Sequence, residues 1–467
     1  MTPAPQISPS GRNALLAVIL LGTLLGPLDS AVNIAFPDIT SSFAIELQAI
    51  RWVIVAYVAT YASLMLVFGR IGDLYGHNRV FIGGLAVCIA GFAICSLARD
   101  FNWLLLARIM QGIGTAMVLS CGPALATGLF EEHLRPRILG LYAMIFGLGG
   151  AVGPSIGGLL VDLWGWPAVF WFRIPLAVAA LALFVVLQPP ASQRAVGRFD
   201  LAVSSLLAGT TALLLLTVTQ WDRAATQPVL ILGLFLSTVA AAAAFVRLSR
   251  RSPVPIIELG WFGDFRFAWI NVANVIVNLA GFATMLFVPY FLVQVSALPV
   301  WQSGLIMAAG PVMMMAASSL GGRAIAAAGA GRLALAGAIL VACGLYWIGN
   351  WEAATHRVTM VLALAVHGAG LGLFQVTSLD IVAASLPRSN RGVAGSLALV
   401  MRTIGVVLAA CLLTLMFAHY QHVFADRGTG QAFVLAFQVV FQMAAVGLFA
   451  FALMSMLRPR LWADTSS

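Results

Sequence analysis

Gly69-Arg70-Ile71-Gly72-Asp73-Leu74-Tyr75-Gly76-His77-Asn78-Arg79 joins two long apolar runs, and Gly322-Arg323-Ala324-Ile325-Ala326-Ala327-Ala328-Gly329-Ala330-Gly331-Arg332 joins two more. At an offset of 253 residues (322 − 69), Gly69, Arg70, Gly76 and Arg79 fall on Gly322, Arg323, Gly329 and Arg332. Four shared positions in the same apolar setting argue for an internal parallel repeat. Asp73 has no acidic counterpart, since Ala326 stands in the copy. Glycine lets such a link reverse tightly while its arginines stay at the membrane surface.

Working outward, the 467 residues are 61% hydrophobic and only 9% charged. So much apolar surface has no place in a water-soluble chain, which makes this a polytopic, all-α membrane protein. The formal charge is +9, and every one of the 25 basic residues is arginine. No soluble domain gathers them, which excludes a nucleic-acid binder. Runs of about 20 apolar residues each suffice to cross a bilayer, and fourteen are found, at roughly 13–36, 52–69, 80–98, 102–126, 138–161, 168–188, 201–220, 228–247, 267–291, 302–322, 333–350, 358–384, 392–418 and 431–456. Arg70/Arg79, Arg135/Arg137, Arg194/Arg198, Arg247/Arg250/Arg251, Arg323/Arg332 and Arg388/Arg391 then share one side, the expected cytoplasmic side with both termini. Trp52, Trp103, Trp164, Trp166, Trp221, Trp301 and Trp351 are expected to mark the outer boundary as an aromatic belt. The run after Arg12 is too long for a cleavable signal and is read as the first span.

The 69–79 stretch resembles the loop between spans 2 and 3 of the major facilitator superfamily, Gly-x-x-x-Asp-x-x-Gly followed by basic residues. Gly69, Asp73, Gly76 and Arg79 fill the pattern, whereas His77 and Asn78 replace the usual basic pair. Span 4 carries Arg108-Ile109-Met110-Gln111-Gly112-Ile113-Gly114, similar to the family's Arg-x-x-Gln-Gly-x-Gly. In span 5, Gly140, Gly149, Gly153-Pro154 and Gly157-Gly158 complete the pattern that resembles the antiporter motif of its exporters. The repeat places spans 2 and 3 over spans 10 and 11. The layout is therefore similar to that of the fourteen-span drug:proton antiporters: a six-helix bundle at 1–190, two inserted spans within 191–260, and a second six-helix bundle at 261–467.

The residues suggest where chemistry would lie. Asp29, in Leu28-Asp29-Ser30-Ala31-Val32-Asn33, is about two turns below the outer end of the first span, and at 100° per residue Gly22, Gly26, Asp29 and Asn33 share a face. A carboxylate there is costly unless paired, wet or protonated. Arg108 lies at matching depth and Arg173 at a similar one, so Arg108 is the expected partner and Arg173 a possible third member. An adjacent arginine favours a charged carboxylate and desolvation favours a neutral one, so an acid that alternates between two such settings can load and release a proton. Gly149, Gly153 and Gly157 form a small-residue stripe that admits a neighbouring backbone, and Pro154 removes a helical hydrogen bond.

Asn271, Asn274 and Asn278 fall within about 60° of one another on span 9, as either interhelical glue or a cavity wall. The cavity is favoured, with Asn33, Gln111 and Gln375 as further lining. Phe282, Phe287, Tyr290 and Phe291, and Met307, Met313, Met314 and Met315, suit apolar ligands or ordinary packing. His367 near mid-membrane is a candidate proton site or a hydrogen-bonded neutral ring. Asp380 and Arg402 are close enough in depth to form an ion pair. Spans 7 and 8 hold no internal charge and read as lipid-facing accessory helices. Cys88, Cys95, Cys121, Cys343 and Cys411 read as packing residues, with no metal site.

The resemblance implies a proton-coupled exporter of lipophilic, often cationic drugs, and the scarcity of acids favours neutral or monocationic compounds. It would use the proton as coupling ion, need no other cofactor and act as a monomer in the bacterial inner membrane. A rival cargo is an anionic metabolite or lipid held by Arg108 and Arg173. A receptor or membrane enzyme is the weaker alternative, because no nucleotide-binding loop or nucleophile–base set is present.

Overall fold

The computed structural model describes residues 9–131, 134–187, 201–220, 226–249, 259–385 and 391–457. Arg194, Arg198, Trp221, Arg250, Arg251 and Arg388 lie outside them. The described chain is helical throughout. In order it forms α1 (Ser10–Ile34), α2 (Arg51–Tyr75), α3 (His77–Ser96), α4 (Phe101–Gly128), α5 (Arg135–Trp164), α6 (Ala168–Val186) and α7 (Leu201–Thr219). There follow α8 (Pro228–Ser249), α9 (Phe265–Val295), α10 (Val300–Ala328), α11 (Ala330–Ile348), α12 (Arg357–Ala384), α13 (Arg391–Val423) and α14 (Thr429–Met456). Thirteen of these are long and apolar enough to cross a membrane, where fourteen crossings were expected; α7 contributes only the shorter apolar stretch Ser205–Leu214.

Helix ends follow local chemistry. Asp100 accepts from the Trp103 amide at 2.8 Å and Asp264 from the Arg266 amide at 2.9 Å, capping α4 and α9. The two copies of the opening stretch fold alike. Gly76 ends α2 and starts α3 at φ 103°, and Gly329 ends α10 and starts α11 at φ 83°. Such positive φ is open to glycine and strained for other residues, which explains why these two positions match in the repeat. Beside the first turn, Asp73 meets His77 at 3.2 Å and Arg70 at 4.0 Å, so His77 takes up the acid.

Symmetry reaches deeper than the loops. A Cβ on Gly112 would lie 2.8 Å from the Tyr57 carbonyl of α2, and one on Gly114 2.7 Å from the Cys88 amide of α3. In α12, Gly368 meets the Gly310 carbonyl of α10 in the same way, and a Cβ on Gly370 would lie 2.5 Å from the Val341 amide of α11. A Cβ on Gly91 would lie 3.0 Å from the backbone of Gln111, and one on Gly344 2.7 Å from that of His367. Helices α4 and α12 thus sit in equivalent grooves, held by backbone-to-backbone approach that only glycine permits.

Helices α1 to α6 pack mainly on one another, as do α9 to α14, and the two sets meet through α5 with α10 and α2 with α13. At the end that carries residues 36–42 and 283–290 these two segments touch, and Phe36, Ile39, Phe287 and Phe291 belong to one buried core. Toward the opposite end, the first set keeps a separate core around Leu15, Phe81, Leu85 and Phe184. Helix α8 exposes Leu232, Phe235, Leu236 and Val239, as expected of an accessory helix. Its partner α7 does more than face lipid, because it lies along both α2 and α13. Thr217 and Thr238 bond across the α7–α8 pair at 3.0 Å.

The tryptophan expectation needs correction at two places. Trp103, Trp164 and Trp301 are exposed, but Trp166 and Trp351 are buried against Phe43 and Phe437. Phe287, Tyr290 and Phe291 are packing residues, Phe287 stacking on Phe417 at 4.7 Å.

Alanine at Gly76 or Gly329 is expected to lower stability by about 1–3 kcal/mol through strain at positive φ. Gly447→Ala, which meets open space on α14, should not. Heating the detergent-solubilised variants and following the monodisperse fraction checks this; equal melting of all three would refute it.

Candidate functional site

The site begins with a break. Helix α1 loses its regular pattern at Gly26-Pro27 and continues as a 3-10 turn over Pro27–Ser30. Gly26 donates to the Thr23 carbonyl at 3.2 Å and Asp29 to the Gly26 carbonyl at 3.0 Å. Proline has no amide to donate, so the tighter bonds replace the lost helical one.

Asp29 enters a ring of donors from α4 and α6. Arg108 embraces it with Nη1 on Oδ1 at 2.7 Å and Nη2 on Oδ2 at 2.8 Å. Arg173 Nη1 reaches Oδ1 at 2.9 Å, and Gln111 Nε2 reaches the same oxygen at 2.8 Å. Gln111 also accepts from Arg108 Nη1 at 2.9 Å, while the two Nε atoms donate to the carbonyls of Val53 and Val169. Arg108 lies over Tyr57 at 4.2 Å and Arg173 over Phe92 at 4.5 Å, with Phe170 between them. Both arginines are buried, and Asp29 keeps a side-chain exposure of 13%.

Two cations share one anion, so the cluster carries one net positive charge. Charge-assisted fork geometry and the aromatic faces make this tolerable away from water. Deleting one member of such a buried set typically costs about 3–5 kcal/mol. Both Asp29 oxygens are already occupied. A proton on Oδ2 would cancel the charge that the Arg108 fork pairs with and so weaken that fork.

Span 5 braces this segment. A Cβ on Gly149 would lie 2.8 Å from Pro27, and one on Gly157 2.9 Å from Ala31. Gly153 touches Ser30 Oγ, which donates to the Gly149 carbonyl at 3.0 Å. The stripe thus packs on the unwound turn of its own half. The adjacent face crosses to the other half: a Cβ on Gly158 would lie 2.6 Å from the Val300 carbonyl, and one on Gly304 would strike the Pro154 carbonyl. One helix therefore touches both the Asp29 turn and α10, and it runs unbroken through Pro154.

The remaining predicted residues are placed as follows. Asn33 and Gln375 are half-buried, and Gln111 is wholly buried as part of the Asp29 cluster rather than lining a cavity. The asparagine stripe also departs from the cavity expectation. Asn271 and Asn278 donate to the carbonyls of Phe267 and Asn274, Asn274 donates to the Ala398 carbonyl of α13, and all three are buried. Their face of α9 is taken by α13, where Gly405 fits against Asn278. Asp380 and Arg402 do not pair: Asp380 is exposed near the end of α12, and Arg402 lies near Tyr61 of α2. Depth along a helix fixes one coordinate, and rotation separates them. No group of three or more potential metal ligands occurs among the described residues.

His367 is buried where the second half repeats the first. Helices α4 and α12 correspond at an offset of 256 residues (357 − 101). Arg108-x-x-Gln111-Gly112-x-Gly114 then falls on Leu364-x-x-His367-Gly368-x-Gly370. His367 stands in for Gln111, and its Nε2 lies 3.3 Å from the Cβ position of Gly281, where α9 breaks. The signal was present in the two shared glycines but hidden by the changed Arg and Gln.

Residues 18–410 match the Major Facilitator Superfamily. The chain belongs to that family of membrane transporters and is not an enzyme. It is 26% identical over 409 residues to the riboflavin transporter RibZ of Clostridioides difficile (strain 630), covering 86% of this chain and 88% of the relative. It is 29% identical to the multidrug resistance protein Stp of Mycobacterium tuberculosis (strain CDC 1551 / Oshkosh), covering 86% and 75%. A POT family transporter solved in complex with 5-aminolevulinic acid shares the fold, with a TM-score of 0.75, 14% identity and coverage of 98% and 99%.

Gly153→Ala forces a methyl group into Ser30, so transport should fall at least about tenfold with the protein still in the membrane. Ser30→Ala on top of it should recover part of that loss. Wild-type uptake into vesicles by the single variant would refute the close-packing argument.

Proposed function

We propose that the chain is a proton-coupled exporter that works by alternating access, with Asp29 as the coupling acid and Arg108 as its gatekeeper. The observation that carries this reading is a single carboxylate, on an unwound turn at membrane depth, held by two arginines and an amide. Intramembrane acids of this kind mark proton or substrate pathways. Protonation cancels the charge that Arg108 pairs with, so each protonation loosens α1 from α4. Because α5 presses on the same turn and on α10, the loosening reaches the seam between the halves. His367, in the position equivalent to Gln111, is a second candidate for proton exchange.

The reading assigns six-helix bundles to α1–α6 and α9–α14, with α7 as a fourteenth crossing and α7–α8 inserted between them. Both termini then lie in the cytoplasm of a bacterial inner membrane, in keeping with the arginine-rich links at that side. The continuous core at the opposite end corresponds to closure toward the outside. The protein acts as a monomer, with the proton as coupling ion and no other cofactor. Gly69, Asp73, Gly76 and Arg79 act in gating at the cytoplasmic end.

The cargo is a lipophilic, drug-like compound. Relatives named for multidrug resistance and for riboflavin support such a range. The excess positive charge beside Asp29 favours an uncharged compound over a cation and gives specific support to a second reading, an anionic metabolite or lipid.

In acid-loaded everted vesicles, ethidium or riboflavin should trigger proton release, and Asp29→Asn should reduce it at least about tenfold at equal membrane abundance. Full release by Asp29→Asn would remove this acid from the coupling. Release with a carboxylate dye and with neither of these compounds would move the assignment to the anion reading.

A further inference from the structure

Arg402 lies well inside α13, and no role yet accounts for it. It stands eleven residues into Arg391–Val423 and is partly exposed. Among the described residues it makes no ion pair and no side-chain hydrogen bond. A lone guanidinium at this depth belongs in a water-filled space within the bundle, because facing lipid without a partner is too costly. Its surroundings agree. The neighbouring Thr403 reaches across to α2, with its Oγ1 3.4 Å from the Tyr61 hydroxyl, and Arg402 is within electrostatic range of that tyrosine.

Tyr61 leads back to the acid cluster. Its ring meets Tyr57 edge-on at 5.2 Å, and Tyr57 lies under Arg108 at 4.2 Å. A continuous aromatic path therefore runs from the first-half cluster to a second-half cation. Charge along it is unbalanced. Asp29 is already shared by Arg108 and Arg173, and Arg402 makes no ion pair among the described residues. Arg173 Nη2 is buried without a hydrogen-bond partner. Positive charge lining a low-dielectric cleft concentrates anions and repels cations.

We infer that Arg402 and Tyr61 form the subsite for the anionic head of the cargo, a small aromatic molecule bearing a carboxylate. The carboxylate lies on the Arg402 guanidinium fork, the Tyr61 hydroxyl donates to it in place of its contact with Thr403, and the aromatic body rests along Tyr61 and Tyr57. Bridging α2 and α13, such a ligand would tie the halves together at one seam. The inference deepens the anion reading above and rests on the central space being the transport pathway.

The test uses the full chain, purified in detergent without any gradient, and the polarisation of 5-carboxyfluorescein and of ethidium. Wild type should bind carboxyfluorescein saturably. Arg402→Gln should weaken that binding at least about tenfold, Arg402→Lys should retain part of it, and ethidium polarisation should not change between them, with unaltered gel-filtration profiles confirming folding. Unchanged carboxyfluorescein binding by Arg402→Gln, or no saturable binding by wild type, overturns the assignment. Since no proton moves in this measurement, loss of the coupling role of Asp29 would leave its result intact.

Discussion

One carboxylate has more partners than it can satisfy, and the rest of the first half is arranged around that shortage. Asp29 takes the Arg108 fork, the Arg173 guanidinium and the Gln111 amide from two other helices. Burying a cation is costly, so each guanidinium also has a carbonyl at Nε and an aromatic face. Removing the acid would leave two uncompensated charges in the bundle. Neutralising it would likewise leave both guanidinium charges without a counter-ion.

The arrangement depends on glycine as much as on charge. The turn that presents Asp29 can approach α5 only because Gly149, Gly153 and Gly157 lack side chains, and α4 can approach α2 and α3 only because of Gly112 and Gly114. The second half repeats the device at Gly368 and Gly370 without repeating the charges: Leu364 replaces Arg108, and His367 replaces Gln111. The halves therefore share a scaffold and divide the chemistry, with the acid in one and, at the seam, a cation in the other.

Much of this could be read from the chain alone, and the failures have a common cause. Motifs set by backbone conformation were legible, because Gly76 and Gly329 leave few alternatives at positive φ. Depth was legible too: Asp29 and Arg108 matched along the membrane normal and are joined. Rotation was not. The asparagines of α9 turn toward α13, and Asp380 turns away from Arg402, because azimuth is set by neighbouring helices that a linear pattern does not specify. The 3-10 turn had a visible cause in Gly26-Pro27, but a constant 100° per residue conceals it. The α4–α12 copy was masked by two substitutions and by a repeat offset that grows from 253 to 256 residues (322 − 69 against 357 − 101).

Helix α7 breaks the symmetry of the two seams. It runs along α2 and α13 where they meet, while among the described residues no helix lies along both α5 and α10 in the same way. A solute dissolved among the lipid tails would therefore meet α7 before it met the seam of α2 and α13.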